Sequence, residues 1–314
     1  MDSDTIHLEL DSTVTESKRQ QPAFARRQPR CKLGLAQISP RLGDVAANVE
    51  IHLAYIEQAR AAGVDLLIFP ELSLTGYYVK DLVADVAWRR DDPAWEPLLA
   101  ASHDLPMIVG FAEESERQQF YIAAAYLEDG QIRHVHRKVY PATYGIFDDG
   151  RFFGAGDRMR AFDSRCGRAA ILICEDLWHP AAAVIASYDG AEVLIGISSS
   201  PGRGTSESSP DLDSARSYER IGEFYSQFLT CYVVHCNRVG YEDGIGFFGG
   251  SSVFGPDGQR LAHGPYHEEC LVTAELSPLP LRRQRSRLPL LRDERLDLTH
   301  RELERIYRSH YDLP

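Results

Sequence analysis

Three short segments of the chain each carry a side chain that can take part in covalent chemistry. They are residues 69–77 (FPELSLTGY), residues 136–140 (HRKVY) and residues 173–178 (ICEDLW). In the first and third segments, an apolar run (residues 65–69 and 169–173) ends at the carboxylate of Glu71 or the thiol of Cys174. Buried strands deliver residues to the edge of a sheet in this way. The sequence therefore predicts that a carboxylate, an ammonium and a thiol meet at strand ends.

These three groups form a chemically coherent set. A thiol attacks a carbonyl only as the thiolate, so Cys174 needs a nearby base, and Glu71 can accept its proton in a dry pocket. A cation beside them, Lys138, would stabilise the ionised forms of Glu71 and Cys174. It could then hold the oxyanion of a tetrahedral intermediate. The backbone N–H of Glu175, which follows the nucleophile at a sharp turn, is the expected second oxyanion donor.

At these residues the chain resembles the nitrilase superfamily, the carbon–nitrogen hydrolases that use a Glu-Lys-Cys triad. The similarity covers residues 31–276. Within the superfamily the chain resembles most the glutaminase domain of glutamine-dependent NAD synthetases. That domain shares the pattern PELxxTGY, a YGxFD segment after the lysine, the motif CEDLW, and a late hairpin similar to residues 249–258. The resemblance implies that Glu71, Lys138 and Cys174 are the catalytic residues.

The resemblance also implies roles for residues around the triad. Many superfamily members place a second glutamate after the lysine, and the matching position here is Asp149, one methylene shorter. A solvated turn carboxylate is the alternative interpretation of Asp149. The expected substrate-binding residues are Tyr77, Tyr144, Glu175, Trp178, Ser200 and Arg203.

The charge of the substrate is a separate question. Related glutaminase domains bind the substrate carboxylate through a basic residue in the loop that corresponds to the one after Ser200. In this chain Arg203 lies closer to Ser200 than that basic residue does in the related domains. Because Arg203 lies between two glycines and is followed by the polar, acidic stretch 205–209, we expect neutral or cationic amides to be preferred.

The composition favours a soluble enzyme that acts on small molecules. With 314 residues and 44% hydrophobic content, the chain can form one large α/β domain. Its formal net charge of -12 argues against nucleic acid or an anionic membrane as the partner. The six cysteines have no zinc-site spacing, and the chain has no apolar run long enough to cross a membrane. We expect a cytoplasmic protein that needs neither a metal nor another cofactor.

The order of predicted elements favours a four-layer α-β-β-α sandwich. Strands are predicted over residues 31–38, 65–69, 106–112, 121–127, 132–138, 169–174, 192–197 and 231–236, and helices over residues 49–62, 180 onward and 214–229. The Asp129-Gly130 pair predicts a hairpin. Strand–helix units mixed with hairpins suggest two sheets faced by helices rather than a doubly wound fold, and no P-loop pattern opposes this.

The two ends of the chain have different compositions from the centre. Residues 1–30 are polar and without periodicity, which predicts a flexible N-terminal tail before a hydrolase domain over residues 31–280. The extension 281–314 is rich in arginine. We interpret it as an arm that packs on a neighbouring acidic subunit, so a homodimer or larger homo-oligomer is expected.

Several histidines have a functional and a structural interpretation. His134 and His136 share one side of a strand and could chelate a metal, although a polar strand face is the simpler interpretation. His179 could act as the base for Cys174, but its place just before Pro180, where a helix begins, favours a supporting role.

Three functional hypotheses follow. The first is an amidase that cleaves a non-peptide amide through a thioester on Cys174. The second keeps the same pocket but changes the reaction to that of a nitrilase, a carbamoyl hydrolase or an amine acyltransferase. The third is an inactive scaffold, or a glutaminase subunit that supplies ammonia to a separate synthetase.

Overall fold

The computed structural model describes residues 30–204 and 212–311. Apart from Arg30, the predicted N-terminal tail lies outside these residues, and so does the acidic stretch 205–209. Strands and helices are numbered in chain order. No helix in the described part of the chain is both long enough and apolar enough to span a membrane.

Two six-stranded sheets make up the centre of the molecule. The first contains, in spatial order, β14 (Cys270–Leu276), β1 (Cys31–Gln37), β2 (Leu66–Ile68), β3 (Met107–Glu114), β4 (Phe120–Glu128) and β5 (Gln131–Arg137). The second contains β13 (Arg260–His263), β12 (Ser252–Phe254), β9 (Tyr232–Asn237), β8 (Val193–Ser198), β7 (Gly167–Ile173) and β6 (Ala161–Ser164). A separate hairpin pairs β10 (Val239–Glu242) with β11 (Ile245–Phe248).

Helices and short turns connect and cover the strands. The helices are α1 (Val45–Ala61), α2 (Val83–Val86), α3 (Glu96–Ala101), α4 (Asp149–Phe152), α5 (Pro180–Tyr188), α6 (Asp213–Phe228), α7 (Pro278–Arg287), α8 (Leu290–Asp293) and α9 (Leu296–His310). Single 3-10 turns occupy Lys80–Leu82, Pro93–Trp95 and Cys174–Trp178.

The buried apolar residues form three layers of core. One cluster lies between the two sheets and includes Ile68 and Ile171. A second joins the outer face of the first sheet to α1 and α3, and a third joins the outer face of the second sheet to α5 and α6. Because a sheet that is apolar on both faces must be covered on both, this arrangement gives helix, sheet, sheet, helix. The predicted four-layer sandwich is confirmed.

Local signals account for most of the element boundaries. Helix α1 begins four residues before the predicted start because Asp44 caps it, accepting a hydrogen bond from the N–H of Ala47 at 3.1 Å. At its other end Gly63 has φ +67°, the left-handed conformation that commonly follows a helix. Asp129 and Gly130 both have positive φ, as a two-residue hairpin turn between β4 and β5 requires.

Parallel strands bring the predicted reactive residues to the region between the sheets. In the first sheet β1, β2 and β3 run parallel, and in the second β7, β8 and β9 do so. The chain segments that follow β2, β7 and β8 carry Glu71, Cys174 and Ser199. The carboxyl ends of parallel strands are where α/β folds place their ligand sites.

Two features near the ends of the chain were not anticipated. The sulfur atoms of Cys31 and Cys166 are paired, which ties β1 to the turn between β6 and β7 with a Cα–Cα distance of 5.3 Å. Helix α7 contributes the buried Leu281, so the predicted domain boundary at residue 280 falls inside a helix that packs on the core. Among residues 30–204 and 212–311, helix α9 has no buried residue. Its role as an oligomerisation arm stays a prediction.

Gly110 on β3 provides a test of how the fold supports the turn that carries Glu71. A Cβ at this position would lie 2.6 Å from the backbone nitrogen of Leu72, so a side chain would collide with the turn itself. We expect Gly110→Ala to lower the free energy of unfolding by about 3 kcal/mol, the upper end for overpacking a core, as measured by urea denaturation.

Gly34→Ala is the matched control. Gly34 is also a strand glycine of the first sheet, but its added Cβ meets only the side chains of Val64 and Leu271, at 3.0 to 3.2 Å. These side chains can shift, so we expect a loss of about 1 kcal/mol. Equal losses in the two variants would show that the turn at Glu71 does not depend on close contact with β3.

Candidate active site

The turn after β2 holds Glu71 in a fixed orientation. Its carboxylate accepts hydrogen bonds from Nζ of Lys138 at 2.8 Å and from the backbone N–H of Ser199 at 2.8 Å. The hydroxyl of Ser199 donates to the backbone carbonyl of Glu71 at 2.9 Å. Glu71 is fully buried, so these contacts fix both its carboxylate and its main chain.

Lys138 follows β5, as predicted, and its ammonium lies between two carboxylates. Nζ donates to Oε1 of Glu71 and to Oδ2 of Asp149, each at 2.8 Å. Asp149, the first residue of α4, also accepts from the N–H of Ala142 at 3.1 Å and from the hydroxyl of Tyr77 at 2.5 Å. Asp149 is 5% exposed, which excludes the alternative of a solvated turn carboxylate.

The charges of this cluster do not cancel. Two carboxylates and one ammonium carry a net charge of about -1 in a site that is shielded from water. Burial raises the pKa of Glu71, and repulsion from Asp149 adds to this, although Lys138 opposes both. Burial alone would lower the pKa of Lys138, but the two carboxylates outweigh it and raise that pKa well above its ordinary value. The lysine therefore stays charged, and Glu71 is the group suited to take up a proton.

Cys174 begins a sharp turn directly after β7. Its φ of +48° is in the left-handed region, which is uncommon for a residue with a side chain and recurs at functional sites. The turn is held by Asp176, whose carboxylate accepts from the N–H groups of Ile173, Val139 and Tyr140 at 2.9 to 3.0 Å. One buried carboxylate thus connects the cysteine turn with the segment that follows Lys138.

The thiol of Cys174 is buried among acidic neighbours. Burial raises its pKa to about 12, with a further contribution from Glu71, while Lys138 and a hydrogen bond with Tyr218 act in the opposite direction. The sulfur lies 3.4 Å from the hydroxyl of Tyr218 and 3.8 Å from that of Ser200. A thiolate in this position needs both a base to remove its proton and donors to stabilise it.

The structure places most of the predicted substrate-binding residues around the thiol, but in different roles. Ser200 contacts the sulfur, and the indole of Trp178 packs edge-on against Tyr218 with ring centres 5.4 Å apart. Tyr144 is half exposed and donates its hydroxyl to the Glu175 carboxylate at 2.9 Å. Tyr77 is buried and directed to Asp149.

Arg203 also lies beside this region. Its guanidinium stacks over the ring of Phe147 at 4.9 Å and approaches the backbone at Gly145. Its backbone N–H and carbonyl both bond with Ser214 at the start of α6. Within the described residues, the buried Nη2 atom of Arg203 has no hydrogen-bond partner. The position is therefore more ordered than its flanking glycines suggested.

The histidines have structural contacts. His136 is buried and its Nε2 lies 2.9 Å from the carboxylate of Asp176, so it is not part of a polar strand face. His134 stacks on Phe162 with ring centres 4.3 Å apart. His179 stacks on Tyr140 at 3.7 Å and lies 3.6 Å from the Glu175 carboxylate, consistent with a supporting role. In the described part of the chain, no three potential metal ligands cluster together.

Three important residues were not identified from sequence: Asp176, Ser199 and Tyr218. Asp176 and Ser199 lie within or beside segments that were singled out, but their partners come from other strands. Tyr218 lies on α6, 44 positions after the thiol that it contacts. No local pattern indicates such a contact.

Comparisons with known proteins agree with this geometry. A family model described as carbon-nitrogen hydrolase matches residues 32–285. The chain belongs to the carbon–nitrogen hydrolase family. The match includes every residue of the site described above.

Two relatives of the chain differ in how much of their own length it matches. A glutamine-dependent NAD(+) synthetase from Thermotoga maritima is 30% identical over 253 residues, which are 79% of this chain but 42% of that protein. A probable nitrilase from Schizosaccharomyces pombe is 27% identical over 242 residues, 74% of this chain and 83% of that protein. The chain thus spans less than half the length of the synthetase.

Solved structures show the same fold. A carbon-nitrogen hydrolase from Helicobacter pylori G27 matches with a TM-score of 0.78 and 24% identity, covering 88% of this chain and 99% of that one. A glutamine-dependent NAD+ synthetase from Acinetobacter baumannii matches with a TM-score of 0.72 and 28% identity, covering 81% and 47%. Each likeness covers more than four fifths of this chain.

The buried charges at Lys138 lead to a stability prediction. Lys138→Met leaves Glu71 and Asp149 facing each other without a cation, so we expect a loss of about 3 to 5 kcal/mol at pH 7. Two ionised carboxylates without a cation destabilise the folded state. This penalty applies above the pKa of carboxylates in the unfolded chain and disappears as pH falls below it, so the deficit should shrink from pH 7 to pH 4 in urea denaturation.

Lys80→Met is the control for this experiment. Lys80 forms an exposed ion pair with Asp243 at 2.9 Å, and such pairs contribute about 1 kcal/mol or less. We expect a small loss that is nearly constant over this pH range. If the loss of unfolding free energy in Lys138→Met does not shrink on acidification, Lys138 does not stabilise two buried, ionised carboxylates.

Proposed function

We propose that the protein hydrolyses a non-peptide amide through a thioester on Cys174, with Glu71 as the base and Lys138 as the cation. The main support is the buried ammonium of Lys138, held at 2.8 Å from both Glu71 and Asp149 beside the thiol. A structural ion pair needs no adjacent nucleophile, whereas covalent catalysis needs all of these groups together.

In the proposed reaction Glu71 accepts the proton of the Cys174 thiol, and the sulfur attacks the amide carbon. An ammonium has three N–H donors, of which Lys138 uses two on the carboxylates. The third is available for the developing oxyanion, together with the backbone N–H of Glu175. Glu71 then gives its proton to the departing amine as the C–N bond breaks, and water hydrolyses the thioester. A raised Glu71 pKa suits this exchange in both directions.

Two substitutions test this proposal. Cys174→Ala should abolish turnover and leave the fold intact, because one buried sulfur adds little to the core. Glu71→Gln should lower the turnover of a panel of amides by about 10²- to 10⁴-fold, because the amide of glutamine cannot accept the proton. Mass spectrometry of the wild-type protein should show an acyl adduct on Cys174.

The pattern of results separates the hypotheses. Release of a carboxylic acid and an amine supports an amidase, whereas turnover of nitriles, carbamoyl compounds or added acceptor amines supports the related reactions. An adduct on another residue, or near-normal activity of Cys174→Ala, would overturn the proposal.

A glutamine-like amide is a second candidate substrate, favoured by the pairing of opposite charges around Tyr144. Its hydroxyl bonds to the Glu175 carboxylate, and Arg203 lies within electrostatic range of the same hydroxyl. A substrate that carries an α-ammonium and an α-carboxylate could pair with both. Within the described residues the Nη2 atom of Arg203 has no hydrogen-bond partner, which supports this substrate class against the preference for neutral amides expected from sequence. Several relatives are named as glutamine-dependent synthetases.

Arg203→Ala distinguishes the two substrate classes. If Arg203 binds a carboxylate, the substitution removes a charge-assisted hydrogen bond of about 1.5 to 3 kcal/mol. KM for L-glutamine should then rise at least tenfold, while KM for a neutral amide such as propionamide should stay within about twofold. An equal change in KM for both amides would contradict the proposal that Arg203 binds a substrate carboxylate.

A further inference from the structure

The hydroxyl of Tyr218 contacts the reactive sulfur, although no sequence pattern assigns this residue a role. Tyr218 lies on the inner face of α6 and is 5% exposed. Its oxygen is 3.4 Å from Sγ of Cys174, closer than that of Ser200 at 3.8 Å. Among the described residues, these two hydroxyls make the side-chain hydrogen bonds of this sulfur.

The ring of Tyr218 is held in one orientation. It stacks on His235 with ring centres 4.3 Å apart and an interplanar angle of 7°. Trp178 packs edge-on against its other side, at 5.4 Å and 83°. A ring fixed between two aromatic neighbours directs its hydroxyl without paying for side-chain ordering during the reaction.

The direction of the hydrogen bond follows from the charges. Burial raises the pKa of Tyr218 well above its ordinary value, and the nearby sulfur adds to this. Tyr218 therefore remains protonated when the sulfur is negative. A protonated phenol beside a thiolate is the donor, and the sulfur is the acceptor.

We propose that Tyr218 is a catalytic residue that donates its hydroxyl hydrogen to the thiolate of Cys174. This role rests on the proposed covalent function. The thiol proton goes to Glu71, and the phenol keeps its own proton throughout. When the C–S bond forms, negative charge moves from sulfur to the carbonyl oxygen and the phenol bond weakens. When the thioester is hydrolysed, the bond forms again and assists departure of the sulfur.

The test is the pH dependence of Cys174 alkylation by iodoacetamide, because it measures the thiolate without requiring any substrate. The titratable groups around the sulfur are Glu71, Lys138, Asp149, Tyr77, Tyr144 and Tyr218. Only Tyr218 is changed. Because burial raises the pKa of this thiol to about 12, the assay compares alkylation rates between pH 7 and pH 9, below the midpoint. We expect Tyr218→Phe to slow alkylation about tenfold throughout this range, as for a lost hydrogen bond to a charged group. Peptide mapping assigns the label to Cys174.

Tyr225→Phe is the matched control. Tyr225 is buried on the same helix, but its hydroxyl donates to the backbone carbonyl of Leu177 at 2.9 Å. Its loss should lower thermal stability and leave the alkylation rate unchanged. Site-specific replacement of Tyr218 by 3-fluorotyrosine keeps the ring and acidifies the hydroxyl, so alkylation should become faster even if Tyr218→Phe folds poorly.

The outcomes separate this inference from the proposed function. Unchanged alkylation rates in both Tyr218 variants would overturn the role of Tyr218, whether or not amides are hydrolysed. Changed rates in a protein that hydrolyses no amide would support the contact with the thiolate and reject the hydrolase mechanism. An equal decrease in rate in Tyr225→Phe would show that the effect is a general loss of stability and would overturn the role of Tyr218.

Discussion

The buried ammonium of Lys138 is the constraint on which the site depends. Two carboxylates, Glu71 and Asp149, come from different parts of the chain and would repel each other in a site without water. The cation makes their approach favourable, and each carboxylate then fixes a loop: Glu71 the turn after β2, and Asp149 the segment that begins α4. Backbone donors from Ser199 and Ala142 complete the arrangement. Burial in this arrangement, together with repulsion from Asp149, leaves Glu71 with the raised pKa that a proton acceptor needs, although Lys138 opposes both.

Features with a local cause were predicted well from the sequence. The apolar runs before Glu71 and Cys174 predicted strands that end at the reactive groups, because such runs are buried on both faces of a sheet. The Asp129-Gly130 turn fixed the hairpin that ends at Lys138, since both residues adopt positive φ. From these elements the four-layer architecture followed. The strand ends also predicted that the three reactive groups meet, and the family resemblance then implied that they are the catalytic residues.

Features that depend on long-range contacts were missed for a physical reason. Ser199 bonds to Glu71 across 128 positions, and Cys31 pairs with Cys166 across 135. Their residue types are common and their neighbours give no signal, so only the packing of the two sheets reveals them. Arg203 is the converse case. Its flanking glycines indicated a poorly preorganised site for an anion, whereas its guanidinium stacks on Phe147 and its backbone bonds to Ser214. The expected preference for neutral or cationic amides stays a prediction.

The site is divided between the two sheets, and this affects when its chemistry can begin. Glu71 and Lys138 follow strands of the first sheet, whereas Cys174 and Ser199 follow strands of the second. During synthesis the first sheet emerges largely before the second, and until the two faces close the cysteine has no base, no cation and no dry surroundings. A half-made chain therefore carries an ordinary thiol. Under the proposed mechanism, the cysteine becomes a nucleophile only when the sandwich closes, so its reaction with acyl compounds is delayed until the two sheets have packed together.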